Sequence, residues 1–316
     1  MANPRAAGNP LTPPPPTRKA NAMSLYPADT AQALHALLSV APADADHFTG
    51  PRKPGGVGRV FGGQVVAQAL VAAQHTVSDD RAPHSLHAYF LRGGSEDHAI
   101  DYAIERDFDG GSFSNRRVIA RQQGTPILNC TVSFHRRESG FAHQFEMPQV
   151  PPPESLESEL ALRHANIHRA PEAMRPLLLR PPLVEFRPCR PAAWLGEPTT
   201  PAIMANWFRV PGTLPDDRAV HRAMLAYASD YTLLASAALP HPVSWLEGTI
   251  MSASLDHAVW FHSSDFRADD WLLYATDSPW SGHGRGFNRG RIYTRDGRLV
   301  AETAQEGLIR KLEPRP

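Results

Sequence analysis

The chain has 316 residues, and its 32 Lys+Arg against 32 Asp+Glu give a formal net charge of +0 at pH 7. That balance supplies no overall field toward nucleic acid or an acidic membrane surface, and the length allows one large or two modest domains. Two cysteines, Cys130 and Cys189, are too few for a disulfide framework and lack metal-ligand spacing, which points to a reducing cytoplasm.

Residues 1–22 contain the run Pro13-Pro14-Pro15-Pro16 and no apolar core, so a disordered extension is expected there and not a secretory signal. No stretch approaches the length of a membrane span, and Glu313-Pro314-Arg315-Pro316 carries no peroxisomal tripeptide. The rest divides into a first unit over 23–146, a linker over 147–182 and a second unit over 183–316.

The first predicted helix runs from about Gly62 to Val77 and carries no charged residue. A helix that is apolar or small all round is a buried helix. Strands follow at Ser85–Phe90, Asp101–Glu105, Ser114–Arg121 and, after a turn at Gln123-Gly124, Pro126–His135. The Pro-rich stretch from Met147 to about Pro182 reads as a crossover with a short helix near Glu154–Ile167. Strands at Leu183–Pro188 and Ala202–Val210 open the second unit. A second nearly charge-free helix, about Asp217 to Leu239, precedes strands at Ser254–Phe261, Trp271–Ala275, Gly286–Thr294 and, after a turn at Asp296-Gly297, Leu299–Arg310.

The chain therefore states one pattern twice: a strongly curved antiparallel sheet wrapped around a buried helix. With Gly124 laid on Gly297, Leu128, Cys130, Val132 and Phe134 match Ala301, Thr303, Gln305 and Gly307. Both sets are the uncharged face of a period-2 strand, so Gln305 points inward where its counterpart is Val132.

On the second helix, Val220, Ala223, Met224, Tyr227, Tyr231 and Leu234 form one stripe, and Asp230 falls within it. A carboxylate aimed at a core is costly unless something pairs with it or uses it. A backbone cap or a helix kink is the alternative reading.

Four motifs, in this order, resemble the acyl-CoA thioesterase II family, an α+β tandem double-hotdog fold: Phe61-Gly62-Gly63-Gln64, Tyr227-Ala228-Ser229-Asp230, Asp256-His257-Ala258-Val259-Trp260-Phe261-His262 and Ala304-Gln305-Glu306-Gly307-Leu308-Ile309-Arg310. The resemblance spans about Tyr26 to Lys311. It implies hydrolysis of acyl-CoA to a free acid and CoA, with no metal, no cofactor and no covalent serine, in a homo-oligomer. It also implies Asp230, Ser254 and Gln305 as the groups that position a water. The hydroxyl position is commonly threonine in that family and is serine here. The missing methyl frees χ1, and Ser252 is a nearby competitor.

A thioester is already activated, so its water needs only positioning, a base and oxyanion donors. Asp230 can serve as base, while Ser254 and Gln305 can fix the water's remaining hydrogen bonds. The Gly63 or Gln64 N–H, at a helix N-terminus, is a candidate oxyanion donor; tight packing is the other reason for glycines there. The first helix has no carboxylate, so one active site per chain is expected.

The remaining candidates are weaker. His257 and His262 read as strand packing residues, and His84 and His87 lack a third metal ligand. Gly282-His283-Gly284-Arg285-Gly286 superficially suggests a phosphate cradle, but Phe287 stands where glycine is required, so a flexible loop is expected. Arg285 and Arg289 are candidate contacts for CoA phosphates; Arg116 and Arg117 are equally ambiguous with solvated arginines. No Gly-x-Ser-x-Gly elbow is present. Two rival functions are an enoyl-CoA hydratase, which should carry a close aspartate–histidine pair, and a non-catalytic acyl-CoA binder.

Overall fold

The computed structural model describes residues 25–312, and the expected extension over 1–22 lies outside them. The first unit contains α1 (Thr30–Leu38), β1 (Ala41–Pro42), β2 (His47–Gly50), α2 (Gly62–Gln74), β3 (Arg81–Phe90), β4 (Ile100–Asp109), β5 (Phe113–Gln122) and β6 (Thr125–Arg136). The crossover carries α3 (Glu159–Asn166) and α4 (Arg175–Leu178). The second unit contains β7 (Glu185–Pro188), α5 (Pro191–Trp194), β8 (Ile203–Arg209), α6 (Arg218–Thr232), β9 (Ile250–Ser254), β10 (Asp256–Phe261), β11 (Leu272–Gly282), β12 (Arg285–Thr294) and β13 (Leu299–Lys311).

The strands form one antiparallel sheet in the order β1-β2-β4-β5-β6-β3-β10-β13-β12-β11-β8-β7, with β9 also paired to β13. The seam between units is β3 against β10, where Leu86 faces Val259. Helices α2 and α6 lie inside the curve and pack on each other. This is the double-hotdog arrangement. All but three of the 13 residues of α2 are buried, as a helix with no charge to solvate requires. Its one-sided polar groups are satisfied locally: Gln68 Nε2 donates to the Pro51 carbonyl at 3.1 Å and Tyr102 Oη donates to Gln68 Oε1 at 2.8 Å.

Three features depart from expectation. The second helix is α-helical only to Thr232 and continues as 3-10 turns over Leu233–Ala238. The tighter winding presses Leu234 and Ala237 onto β13 and β12, where Gly307 and Gly286 leave no Cβ to collide. The segment around Gly282–Gly286 is not a flexible loop. It is a two-residue hairpin turn with His283 and Gly284 both at positive φ, matching Gln123 and Gly124 in the first unit. The Pro-rich stretch is more than a connection: Met147, Val150 and Leu156 cover an apolar patch of Trp207, Trp271, Leu273 and Tyr293, and Trp207 Nε1 donates to the Pro151 carbonyl at 2.8 Å. The short α1, β1 and β2 had no strong periodic signal. No helix of the described residues is long and apolar enough to cross a membrane.

Candidate active site

Asp230 occupies the last turn of α6, on the side that faces the N-terminus of α2, and only 8% of its surface is exposed. Its Oδ1 accepts from Gln305 Nε2 at 2.6 Å and from Ser254 Oγ at 3.1 Å. The Gly63 backbone N–H also favours the charged form of the carboxylate. Burial pushes the Asp230 pKa up to about 6, and the three donors oppose that rise by favouring the charged form. The positive end of the α2 dipole acts in the same sense.

Strand parity places the partners. Along β13, Thr303, Gln305 and Gly307 are buried in alternation with Ala304 and Glu306. Gly307 faces Ser254 on β9. The chain breaks at Leu255 before β10 begins, and Asp256 Oδ1 secures the break by accepting from Glu306 N at 2.6 Å. Ser252 is two residues earlier in the same strand, but Trp245 Nε1 donates to it at 2.9 Å and it has no bond to Asp230.

Behind this trio lies His257, fully enclosed. Its Nδ1 is 3.1 Å from Gln305 Nε2 and its Nε2 is 2.8 Å from Ser229 Oγ. Desolvation lowers its pKa to about 4, so at neutral pH the ring is uncharged and its 4.0 Å approach to Asp230 is not an ion pair. An amide nitrogen has two hydrogens to give. With one on Asp230 and one on His257 Nδ1, the ring proton sits on Nε2 and goes to Ser229, whose hydroxyl donates to the Ala226 carbonyl at 3.0 Å. The relay fixes the Gln305 amide with its NH2 toward the carboxylate.

A cavity of about 620 Å³ opens beside Asp230 and Ser254, within the usual size range of small-molecule sites. Phe61, Phe90, Trp194, Leu234, Leu239 and Trp245 contribute apolar wall. Arg163, bonded to Glu159 and to Tyr231 Oη (2.7 Å), contributes a polar patch from the crossover. Gln305 and His257 do not reach the cavity wall.

The glycines at the start of α2 are needed for close approach. A Cβ on Gly62 would lie 2.7 Å from Asp230 Oδ2, and one on Gly63 would lie 2.4 Å from the Tyr227 carbonyl oxygen. The Gln64 N–H is committed to the Phe61 carbonyl at 3.1 Å, and the Gln64 side chain donates to the Pro51 carbonyl at 3.2 Å. Gly62 and Val65 are the α2 residues that line the cavity.

The other sequence candidates lie elsewhere. Arg285 pairs with Glu306 at 3.2 Å and Arg289 with Asp277 at 2.6 Å, and neither lines the cavity. Arg116 is buried against the Thr76 carbonyl and Asp109, and Arg117 pairs with Glu105 and Asp107. His84 bonds Ser133 at 2.8 Å and His262 bonds Glu302 at 3.0 Å. Among the described residues no three His, Cys, Asp or Glu are grouped to hold a metal. Besides the ion-paired Arg163, the arginines that line the cavity are Arg59 and Arg92, both exposed and neither ion-paired among the described residues. Sequence gave no sign of them, because nothing local distinguishes a rim arginine from a solvated one.

Comparison with known proteins gives the same picture throughout. Residues 185–308 match the family model for acyl-CoA thioesterase, and residues 49–135 match that for the acyl-CoA thioesterase N-terminal domain. The chain is 40% identical over 282 residues to acyl-coenzyme A thioesterase 8 of Homo sapiens, covering 87% of this chain and 88% of that protein. It is 37% identical over 278 residues to acyl-CoA thioesterase 2 of Haemophilus influenzae, covering 87% and 96% respectively. Among solved structures, acyl-CoA thioesterase II TesB2 from Mycobacterium marinum superposes with a TM-score of 0.71 at 35% identity, covering 90% of this chain and 99% of that one.

Proposed function

The chain belongs to the acyl-CoA thioesterase family, and on that premise we propose that it hydrolyses acyl-CoA thioesters to a free fatty acid and CoA, with Asp230 activating the water. The observation that carries this reading is a buried carboxylate at a cavity wall with one oxygen already occupied. Oδ1 holds Ser254 and Gln305. Oδ2, which lies over Gly62, is left to take a proton from water.

In this mechanism the water oxygen attacks the thioester carbonyl carbon while its proton passes to Asp230. The carbonyl oxygen becomes an oxyanion and is met by the first-turn amides of α2. Gly63 N–H is one candidate, close enough to Asp230 to favour its charge. Gly62 N–H is the other, since the first amides of a helix have no intrahelical acceptor. The intermediate collapses, the C–S bond breaks, and the thiolate recovers the proton from Asp230. Ser254 acts at the cavity wall as donor to the carboxylate and orients the water. Gln305, one layer behind, is a positioning residue. Arg59 and Arg92 replace Arg285 and Arg289 as the groups suited to CoA phosphates. Two buried, unpaired thiols, Cys130 and Cys189, support placing the protein in a reducing cytoplasm.

One observation favours the hydratase alternative: Asp230 and His257 lie 4.0 Å apart. The enclosure of His257 argues against it, since a general acid must reach the substrate. The test is thiol release. Pure protein with dodecanoyl-CoA should liberate free CoA. Loss of enoyl absorbance from an enoyl-CoA without thiol would make it a hydratase, and neither change would make it a binder.

A further inference from the structure

The strand order is mirrored about the β3–β10 seam, so the catalytic cavity has a counterpart. The first lies where the N-terminus of α2 meets the C-terminus of α6. The second, of about 1120 Å³, lies where the N-terminus of α6 meets the C-terminus of α2, and is lined by Val71, Val77, Val220, Arg222, Met224 and Phe261 among others. Its chemistry differs at each catalytic position. Val132 stands for Gln305. Phe134 stands for Gly307, so its cross-strand partner Pro83 stands where Ser254 does. The last turn of α2 carries no carboxylate. This cavity lacks counterparts of Asp230, Ser254 and Gln305 but keeps its volume.

It has instead acquired a cation. Arg222 is 6% exposed and lines the cavity, yet it makes no ion pair among the described residues. Its Nη1 donates to Ser264 Oγ at 2.9 Å, and its buried Nε has no partner among the described residues. No carboxylate around the cavity reaches the guanidinium: Asp265 pairs with Arg218 at 2.7 Å, Asp80 with Arg136 at 2.9 Å, Asp217 acts on Arg222 only through space while accepting the Ala219 N–H at 2.7 Å, and Asp79 and Glu138 line the cavity without pairing with Arg222. Burial lowers the Arg222 pKa to about 10, outweighing the attraction of Asp217. A buried unpaired charge is costly, and a ligand that supplies the opposite charge recovers that cost.

We propose that this second cavity is a non-hydrolytic binding site for a long-chain carboxylate, the free fatty acid itself, with its headgroup on Arg222 and its chain along Val71, Val77, Val220, Met224 and Phe261. A planar carboxylate fits the planar guanidinium fork, and Val71, Val77, Val220, Met224 and Phe261 offer an alkyl chain one apolar strip along a cavity whose other walls are polar. The identification of that acid as this protein's product rests on the proposed hydrolysis; the site itself rests on Arg222 and the cavity.

The test is equilibrium dialysis of radiolabelled dodecanoate against the full chain, with two variants. Arg222→Leu removes the cation, and Val71→Trp fills the cavity from α2 without touching it. Each should bind one equivalent of dodecanoate fewer than wild type, or bind that equivalent at least tenfold more weakly. Unlabelled CoA should leave that equivalent in place. Unchanged stoichiometry and affinity in the Val71→Trp variant would overturn the site. So would the same result in a folded Arg222→Leu variant. Displacement of the Arg222-dependent equivalent by CoA would overturn the carboxylate assignment. Thiol release without the variant-sensitive equivalent defeats this inference alone; that equivalent without thiol release defeats the hydrolase reading alone.

Discussion

The side-chain amide of Gln305 meets the carboxylate of Asp230 at 2.6 Å across 75 residues of sequence, and Ser254 joins them at 3.1 Å from each. The contact sets the charge of the site. Burial alone would hold Asp230 protonated; donated hydrogen bonds bring it back to a pKa of about 6. A base poised just below neutrality is deprotonated at working pH and retains useful basicity.

The pH dependence follows directly. Only the ionised form of Asp230 can accept a proton, so kcat/KM for dodecanoyl-CoA should fall about tenfold per pH unit below about 6 and level above it. His257, titrating near 4, adds nothing to that limb near neutrality. A flat profile from pH 5 to 8 would remove Asp230 as the titrating base.

Gln305→Leu should act through Asp230 and not through substrate, because Gln305 does not line the cavity. Without its shortest donor the carboxylate becomes harder to ionise, so the ascending limb should move above pH 6. The rate at neutral pH should drop roughly 10- to 100-fold with KM little changed. A raised KM with an unmoved limb would place Gln305 in substrate binding.

Much of this was legible in sequence because it depends on parity. Period 3.6 along α6 turns Asp230 inward with Met224 and Tyr227, and period 2 along β13 turns Gln305 inward. The Gly124/Gly297 turn overlay marks Val132 as its counterpart. What parity does not encode is contact across the fold. His257 read as a packing histidine because its bond to Gln305 joins β10 to β13. The Gly63 N–H reads as a helix start, and only the antiparallel packing of α6 shows that it faces a carboxylate. Trp207 and Trp271 alternate without a polar side because residues 147–156 cover them, and a proline-rich segment gives no periodic sign of that role.

Gly63→Ala should destabilise the fold, opposite in sign to the usual gain of roughly 1 kcal/mol for alanine over glycine in a helix. The added Cβ would sit 2.4 Å from the Tyr227 carbonyl, and overpacking of this kind costs about 1–3 kcal/mol. Gly62→Ala should instead displace the Asp230 carboxylate and lower kcat. Denaturant titration of both variants separates the effects, and a stabilised Gly63→Ala protein would contradict the close helix approach.

Arg59 and Arg92 should matter for affinity alone. Replacing both with serine should raise KM for dodecanoyl-CoA several-fold at low salt, leave kcat within about twofold, and lose its effect as salt screens the exposed charges. The same double change at Arg285 and Arg289, which are ion-paired away from the cavity, should leave KM unaltered. The reverse pattern would relocate the CoA phosphates.

The most direct measurement is CoA release by Asp230→Asn, which keeps side-chain size and removes the base. Because folding raises the Asp230 pKa from 3.8 to about 6, the folded protein binds the extra proton between those values. The wild type therefore loses stability as pH rises through that window, by at most about 3 kcal/mol. The variant escapes that loss, so at pH 7.5 its unfolding midpoint should equal or exceed that of the wild type. With the fold so verified, thiol release from dodecanoyl-CoA at pH 7.5 should fall at least roughly 1000-fold. Release within tenfold of wild type would mean that some other group activates the water.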